Sequence, residues 1–368
     1  MKLLRPLLVC LVLGAPALAQ DTTADLAAQA ATRLREAVTA LQGADGAKDR
    51  VAALTQTIGA YELGLSVFRE SLRAAAIREK EVTDRLDAKR ERVARVLAAM
   101  TAVESASDAL LFLHPDGPEA AVRSGLVLSS VAPALQAEAE ALRADLTEIA
   151  ALRALQEEAA SVLQAGLVAA QDARTALSLA IQERTDLPRR FLEDPEELQA
   201  LLASADTLDA FAIGLSGMES DIGPPLGDFA GAKGSLPMPV LGRMLRRPGE
   251  ADAAGISRPG FLVATAPAAL VTNPWPATVR YRGPLLDYGN VMILEPARGY
   301  LMVIAGLGTV YGSTGDVLDA GAPIGLMPER AGAAAQTGGA ERTETLYVEL
   351  RQDGETLDPL GWFAQTGQ

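Results

Sequence analysis

Cysteine and histidine are almost missing from this chain, with one of each, Cys10 and His114, in 368 residues. A disulfide needs two thiols and a zinc site needs three or four ligands, so neither a disulfide framework nor a cysteine- or histidine-based metal centre is available. Aromatic residues are scarce as well, 4% against 49% hydrophobic residues overall. Alanine and leucine supply much of that excess, a mix that favours long helices over one large globular core. Positive charge is in deficit: 33 Lys and Arg face 47 Asp and Glu, for a net charge of -14. Nucleic-acid binding requires clustered cations and is excluded on that ground, while the acidity itself is an ordinary solubility feature. Long apolar runs are missing too. The stretch Leu7 to Leu13 is too short to anchor in a bilayer.

That stretch belongs to the opening MKLLRPLLVCLVLGAPALAQDTT. Lys2 and Arg5, the short apolar core and Ala17-Leu18-Ala19 before Gln20 follow the order of a secretory signal, which predicts a cleavable segment over residues 1–19 and a periplasmic protein. Cys10 lies inside it, and Leu7, Leu8 and Val9 ahead of it do not form a lipidation box. The mature chain is then thiol-free, and His114, in a loop beside Pro115, has no nucleophile to activate.

Residues 20–187 read as helical. A short helix from about Thr23 to Leu41 ends at Gly43-Ala44-Asp45-Gly46. From Val51 to Val103 an apolar seam advances in alternating steps of three and four, with only Glu79 and Lys89 polar within it. A second seam runs from Leu135 through Leu142, Leu146, Ile149, Arg153, Gln156, Leu167 and Arg174 to Ile181, with Pro133 suited to the first turn of its helix. Two such runs predict a long antiparallel coiled-coil hairpin; a parallel homodimeric rod is the competing arrangement, since heptads fix neither partner nor direction. The connection Leu110 to Ser130 is apolar enough either to bury itself as a helical knob or to serve as a sticky tip for a partner.

Residues 188–233 hold an amphipathic helix and a linker. Asp194 as cap, Pro195 at the first position and Glu197 at the capping-box position predict a helix start, and Leu198, Leu201, Leu202, Leu208 and Phe211 give it an apolar stripe. The Gly- and Pro-rich stretch from Ser216 to Pro237 reads as linker. The stripe either packs on the coiled coil or covers a groove on the domain that follows.

From Gly234 the helical period gives way to short runs such as TVRYRG, NVMILEP, YLMVIAGL and TLYVELRQ between glycines, which predicts an all-β domain over residues 234–368. In TETLYVELRQDGETL, Thr345, Tyr347, Glu349 and Arg351 alternate onto one face, and Asp353-Gly354 marks a tight turn. The ordered landmarks Arg258-Pro259-Gly260-Phe261-Leu262, Asp287-Tyr288-Gly289-Asn290-Val291, Val303-Ile304-Ala305-Gly306-Leu307, Gly321-Ala322-Pro323-Ile324-Gly325 and Thr345-Leu346-Tyr347-Val348-Glu349 resemble those of a LytM-type (lysostaphin-type) metallopeptidase domain, a duplicated hybrid motif. The resemblance places Arg258, Leu262 and Tyr347 at the three zinc-ligand positions and Thr345 and Gly306 at the two catalytic histidines. None of these side chains supplies zinc chemistry, so the resemblance implies neither an enzyme nor a bound metal or other cofactor.

Leader, coiled coil, amphipathic arm and ligand-free LytM-type domain together are similar to the EnvC-type murein hydrolase activators. The resemblance implies a non-catalytic activator of an N-acetylmuramoyl-L-alanine amidase in cell division and daughter-cell separation. It also implies a coiled coil that docks on an FtsEX-like membrane complex and a helix that covers the amidase-binding groove until released. Carried residue by residue, the groove would be formed by Arg258, Leu262, Tyr288, Val291, Tyr347, Glu349 and Arg351, on an exposed face. Pro259 stands where that family often has lysine. Half-buried packing is the plainer role for Tyr288 and Tyr347. A structural adaptor that binds peptidoglycan or division proteins without switching an enzyme is the alternative function.

Overall fold

The computed structural model describes residues 29, 32–104, 118–184, 187–190, 195–218, 227–252, 255–329 and 344–364. By their contacts the described residues form two compact units, one within Leu65–Val168 and one within Leu26–Gly64 and Ala169–Gln368. Cys10, His114 and the Asp194 cap lie outside the described residues.

Two long helices, α1 (Ala47–Glu104) and α2 (Pro118–Glu183), run through the N-terminal half. The break expected at residues 43–46 is present ahead of α1. The start of α2 differs from the sequence expectation: it begins at Pro118, so Pro133 lies inside the helix and residues 118–130 are helical rather than connection. Pro118 takes the first position, where a missing N–H goes unnoticed.

In the first unit, ion pairs join the two helices with positions that rise along α1 as they fall along α2. Glu79 receives Arg153 at 2.8 Å, Arg78 meets Glu148 at 2.6 Å, and Asp145 accepts Lys89 at 3.1 Å and Arg85 at 3.3 Å. The two helices therefore run in opposite directions where they touch. The polar seam residues Glu79 and Lys89 thus find partners on α2. Hydrogen bonding to Lys89, set against burial, lowers the proton affinity of the Asp145 carboxyl. The seam on α2 departs from the heptad reading at alternate positions: Asp145 is 7% exposed, while Leu146 and Leu167 are exposed. A carboxylate held by two cations takes the inward position, and the leucine beside it turns outward.

In the second unit the start of α1 and the end of α2 pack on the β domain, with Val51, Leu54, Ile58, Ala173 and Leu177 against Leu270 and Tyr311. Buried Glu62 accepts from Arg174 and from the backbone N–H of Leu270, both at 2.9 Å. Among the described residues, every pair of strands in the domain is antiparallel. Strands β1 (Gly242–Arg246), β2 (Phe261–Thr265), β10 (Glu344–Gln352), β6 (Tyr300–Leu307), β5 (Asn290–Glu295), β4 (Ala277–Pro284) and β8 (Val317–Leu318) lie in that order in the large sheet, with β11 (Glu355–Leu357) paired to β10. A second sheet runs β3 (Leu270–Thr272), β9 (Pro323–Leu326), β7 (Thr309–Val310). One face of the large sheet buries Phe261, Val263, Val279, Met292, Ile304 and Leu346 in the main core.

The opposite face is buried as well. It carries Tyr281, Val291, Ile293, Leu301, Val303 and Tyr347, covered by two short helices, α3 (Pro195–Ser204) and α4 (Leu208–Gly217). Burial on both faces explains the unbroken buried runs of β5, β6 and β10, since a sheet open on one side alternates. The amphipathic segment is thus two helices, not one: Thr207 caps α4 by accepting from the backbone of Ala210 at 3.0 Å. Gly214 lets them approach, because a Cβ there would meet Leu201 at 2.3 Å. The linker expectation also needs correction at its end. Phe229 is buried and stacks on Trp362 at 4.7 Å, so the packed domain begins before Gly234.

Candidate functional site: a covered face of the large sheet

Strand alternation along β10 places Tyr347, Glu349 and Arg351 on one face, and the structure links them in a chain. The Tyr347 hydroxyl donates to Glu349 Oε2 at 2.5 Å and accepts the Gly260 N–H at 3.1 Å. Arg351 Nη1 donates to Glu349 Oε1 at 2.6 Å, and Nη2 to Gly354 O at 2.7 Å. Gly260 suits this approach, because a Cβ would sit 2.5 Å from the Tyr347 ring. Burial, and after it the Glu349 carboxylate, raises the Tyr347 phenol well above its ordinary range. Burial lowers the proton affinity of Arg351, but hydrogen bonds to Asp209 and the charge of Glu349 outweigh it, so the guanidinium stays a firm cation.

Register brings the degenerate ligand positions together. Tyr347 stands opposite Leu262 on β2 and Ala305 on β6, and Thr345 opposite Ala264. The Tyr288 ring lies 5.8 Å from that of Tyr347, and the Arg258 guanidinium 5.8 Å from the Tyr288 centroid. Arg258, Leu262, Tyr288 and Tyr347 are therefore one cluster, with Val291 buried in the same layer. Gly306 has φ +94, and a Cβ there would lie 2.5 Å from the Thr345 carbonyl oxygen. No side chain, catalytic or otherwise, fits that position without a backbone shift. Among the described residues, no group of three His, Cys, Asp or Glu could hold a metal ion.

Only part of the face expected to be exposed meets water: Arg258, Leu262, Tyr288 and Thr345 are half-buried, and the rest is covered. Tyr347, Glu349 and Arg351 are 4%, 2% and 2% accessible, and Val291 is fully buried, because α4 lies across them. Phe211 packs edge-on against Tyr281 with ring centroids 4.9 Å apart, and Leu208 and Leu215 flank it. Each of these side chains withdrawn from water contributes about 1.5–3 kcal/mol before ordering entropy is charged against it. Polar ties hold both ends of the helix. Asp209, in the first turn, accepts from Arg351 Nη2 at 2.5 Å, and Arg280 Nη2 donates to the Leu215 carbonyl at 3.0 Å in the last turn. Arg280 is itself buried and paired with Glu295 on β5.

Asp209, Arg280, Glu295 and Leu215 were not legible as site residues. The apolar spacing of Leu208, Phe211 and Leu215 was the available signal for α4. Arg280 and Glu295 sit in strands whose sequence looks half solvated, and nothing local announces that they pair.

No family model matches the chain. It is 29% identical over 134 residues to the uncharacterized protein NMB1333 of Neisseria meningitidis serogroup B, a match over 36% of this chain and 21% of that one. The chain therefore spans about a fifth of the length of that relative. Similar solved structures include a putative M23 peptidase of Pseudomonas aeruginosa (16% identity, 46% of this chain and 64% of that chain, TM-score 0.32). A zinc-containing peptidase of Vibrio cholerae is 19% identical over 37% of this chain and 41% of that chain, TM-score 0.28. A chain of the SpoIIIAH–SpoIIQ complex is 21% identical over 35% of this chain and all of that one, TM-score 0.29. No described helix is long and apolar enough to cross a membrane.

Proposed function

We propose that this protein is a non-catalytic periplasmic activator of an N-acetylmuramoyl-L-alanine amidase, and that the sheet face under α4 is the amidase-binding groove. The observation that carries the proposal is the seating of α3 and α4, with Phe211, Leu215 and the Asp209–Arg351 tie, on the face that holds the degenerate ligand positions. In this reading the arm is a removable cover. While it is docked, Tyr347, Glu349 and Arg351 are satisfied internally. Once it leaves, Arg351 loses Asp209 and the face presents aromatic, aliphatic and guanidinium groups, residue types that dominate protein interfaces.

A direct peptidase role is disfavoured by the chemistry. Zinc hydrolysis needs a metal-activated water, and Arg258, Leu262 and Tyr347 offer no ligand set for it. The paired helices α1 and α2 would serve as the arm that docks, as an antiparallel coiled coil, on an FtsEX-like membrane complex. Buried Glu62, joined to both Arg174 and Leu270, ties that helical base to the domain.

The test is release of dye from labelled peptidoglycan by a cognate amidase, with the full chain and with a chain lacking residues 195–218. The shortened chain is expected to stimulate strongly without any partner. A cover open 1% of the time weakens amidase binding about 100-fold relative to the open form. Stimulation by neither protein, together with retained binding to peptidoglycan, would favour the adaptor reading instead.

A further inference from the structure

We propose that a second site, which shares no residue with the covered groove, binds an oxyanion carried on a small apolar ligand. It is a cleft of about 400 Å³ formed by the last turns of α2, the segment that follows, and the β4 and β7 region. That volume is in the range of small-ligand sites. Three arginines line it, Arg184 and Arg189 from the stretch after α2 and Arg282 from β4, in a protein whose net charge is -14. The one acid in the lining, Asp316, is already engaged: it accepts from Arg189 Nε at 3.1 Å and from the Ser313 backbone N–H at 2.7 Å. Arg189 thus meets Asp316 through Nε, and 72% of its side chain stays accessible. Arg282 makes one long contact, Nη1 to the Val310 carbonyl at 3.4 Å.

The cleft supplies more than charge. Gln182 and Thr309 add neutral hydrogen-bonding groups, and Ile181, Leu187 and Tyr311 make an apolar wall. The Tyr311 hydroxyl is fixed to Ser178 at 2.9 Å, and buried contacts under Tyr311 hold that wall rigid. The carbonyl end of α2 opposes an anion by a factor of about 2 to 5. Each charge-assisted guanidinium contact favours one by about tenfold or more, so two of them prevail. A planar carboxylate matches the forked donors of arginine, and the apolar wall suits a substituent of one or two small residues. The ligand class is thus a short peptide with a free terminal carboxylate, with phosphate as the other source of the same oxyanion chemistry.

Calorimetric titration of the full chain with acetyl-alanyl-alanine, with its C-terminal amide and with inorganic phosphate tests this. The carboxylate peptide is expected to saturate, the amide to bind at least about tenfold more weakly, and Arg189→Gln and Arg282→Gln each to weaken the carboxylate about tenfold. Saturation by phosphate alone, lost in the same variants, would assign the oxyanion to phosphate. Equal binding of peptide and amide, unchanged binding in both variants, or no saturation by any probe up to about 10 mM would overturn the site. Arg282 is exposed, so its variant should keep the parental melting temperature and report on binding alone.

Discussion

Replacing Phe211 with alanine separates a removable cover from a fixed piece of core. Phe211 is fully buried, its ring 4.9 Å from Tyr281 at 68°, among Leu208, Leu215, Val291 and Val303. Truncating such a side chain removes about 3–5 kcal/mol, of which the edge-to-face pair is about 0.5–1.5 kcal/mol. If α4 undocks as a unit, the whole loss falls on the docking equilibrium. At about 1.4 kcal/mol per decade that equilibrium moves by about 100- to 3000-fold. Hydrogen–deuterium exchange reads the movement directly, because amides open with the smallest cooperative unit that contains them. Amides of 208–217 are expected to exchange faster by that factor, up to the limit of a detached segment, while the central amides of β6 and β10 keep parental rates. Equal acceleration of helix and strands would refute the reasoning and make α4 part of the domain core. Acceleration below about tenfold would show that the ring carries little of the docking energy.

Arg351→Ala leaves Glu349 buried with only the Tyr347 hydroxyl, and should lower stability in urea by about 3–5 kcal/mol; an unchanged midpoint would mean the face is open in solution. Glu62→Ala strands buried Arg174 and the Leu270 N–H, with a loss of similar size, about 3–5 kcal/mol, in the same measurement. Tyr347, Tyr281 and Tyr311 all have phenols raised chiefly by burial, so the folded chain keeps protons that the unfolded chain releases above about pH 10. That stability is complete below about pH 10 and is lost as pH rises through the folded values; Tyr347→Phe should flatten the alkaline slope of the melting temperature, and an identical slope would contradict the burial of the phenol. Equilibrium dialysis against zinc is expected to leave less than one tightly held ion per chain, and stoichiometric binding would overturn the reading of Arg258, Leu262 and Tyr347 as empty ligand positions.

Periodicity and turn chemistry alone determined a good deal of this protein. The steps of three and four between Val51 and Val103 specify a long helix, and the glycine-bounded runs after Gly234 specify strands. Asp353-Gly354 specifies the β10–β11 hairpin, and both residues take the positive φ that such a turn needs. Alternation put Tyr347, Glu349 and Arg351 on one face, because the period of a strand does not depend on what lies above it. Whether that face meets water is another matter. Burial depends on which distant segment has an apolar stripe of matching shape, and only the tertiary structure brought Leu208, Phe211 and Leu215 onto β5, β6 and β10, strands far along the chain from them. The same holds for buried charge. Arg351, Arg280 and Asp145 look in sequence like solvated side chains, yet each is buried beside a partner, Asp209, Glu295 and Lys89. A buried ion is tolerable only beside its partner, and for pairs far apart in the chain the partner is chosen by the fold.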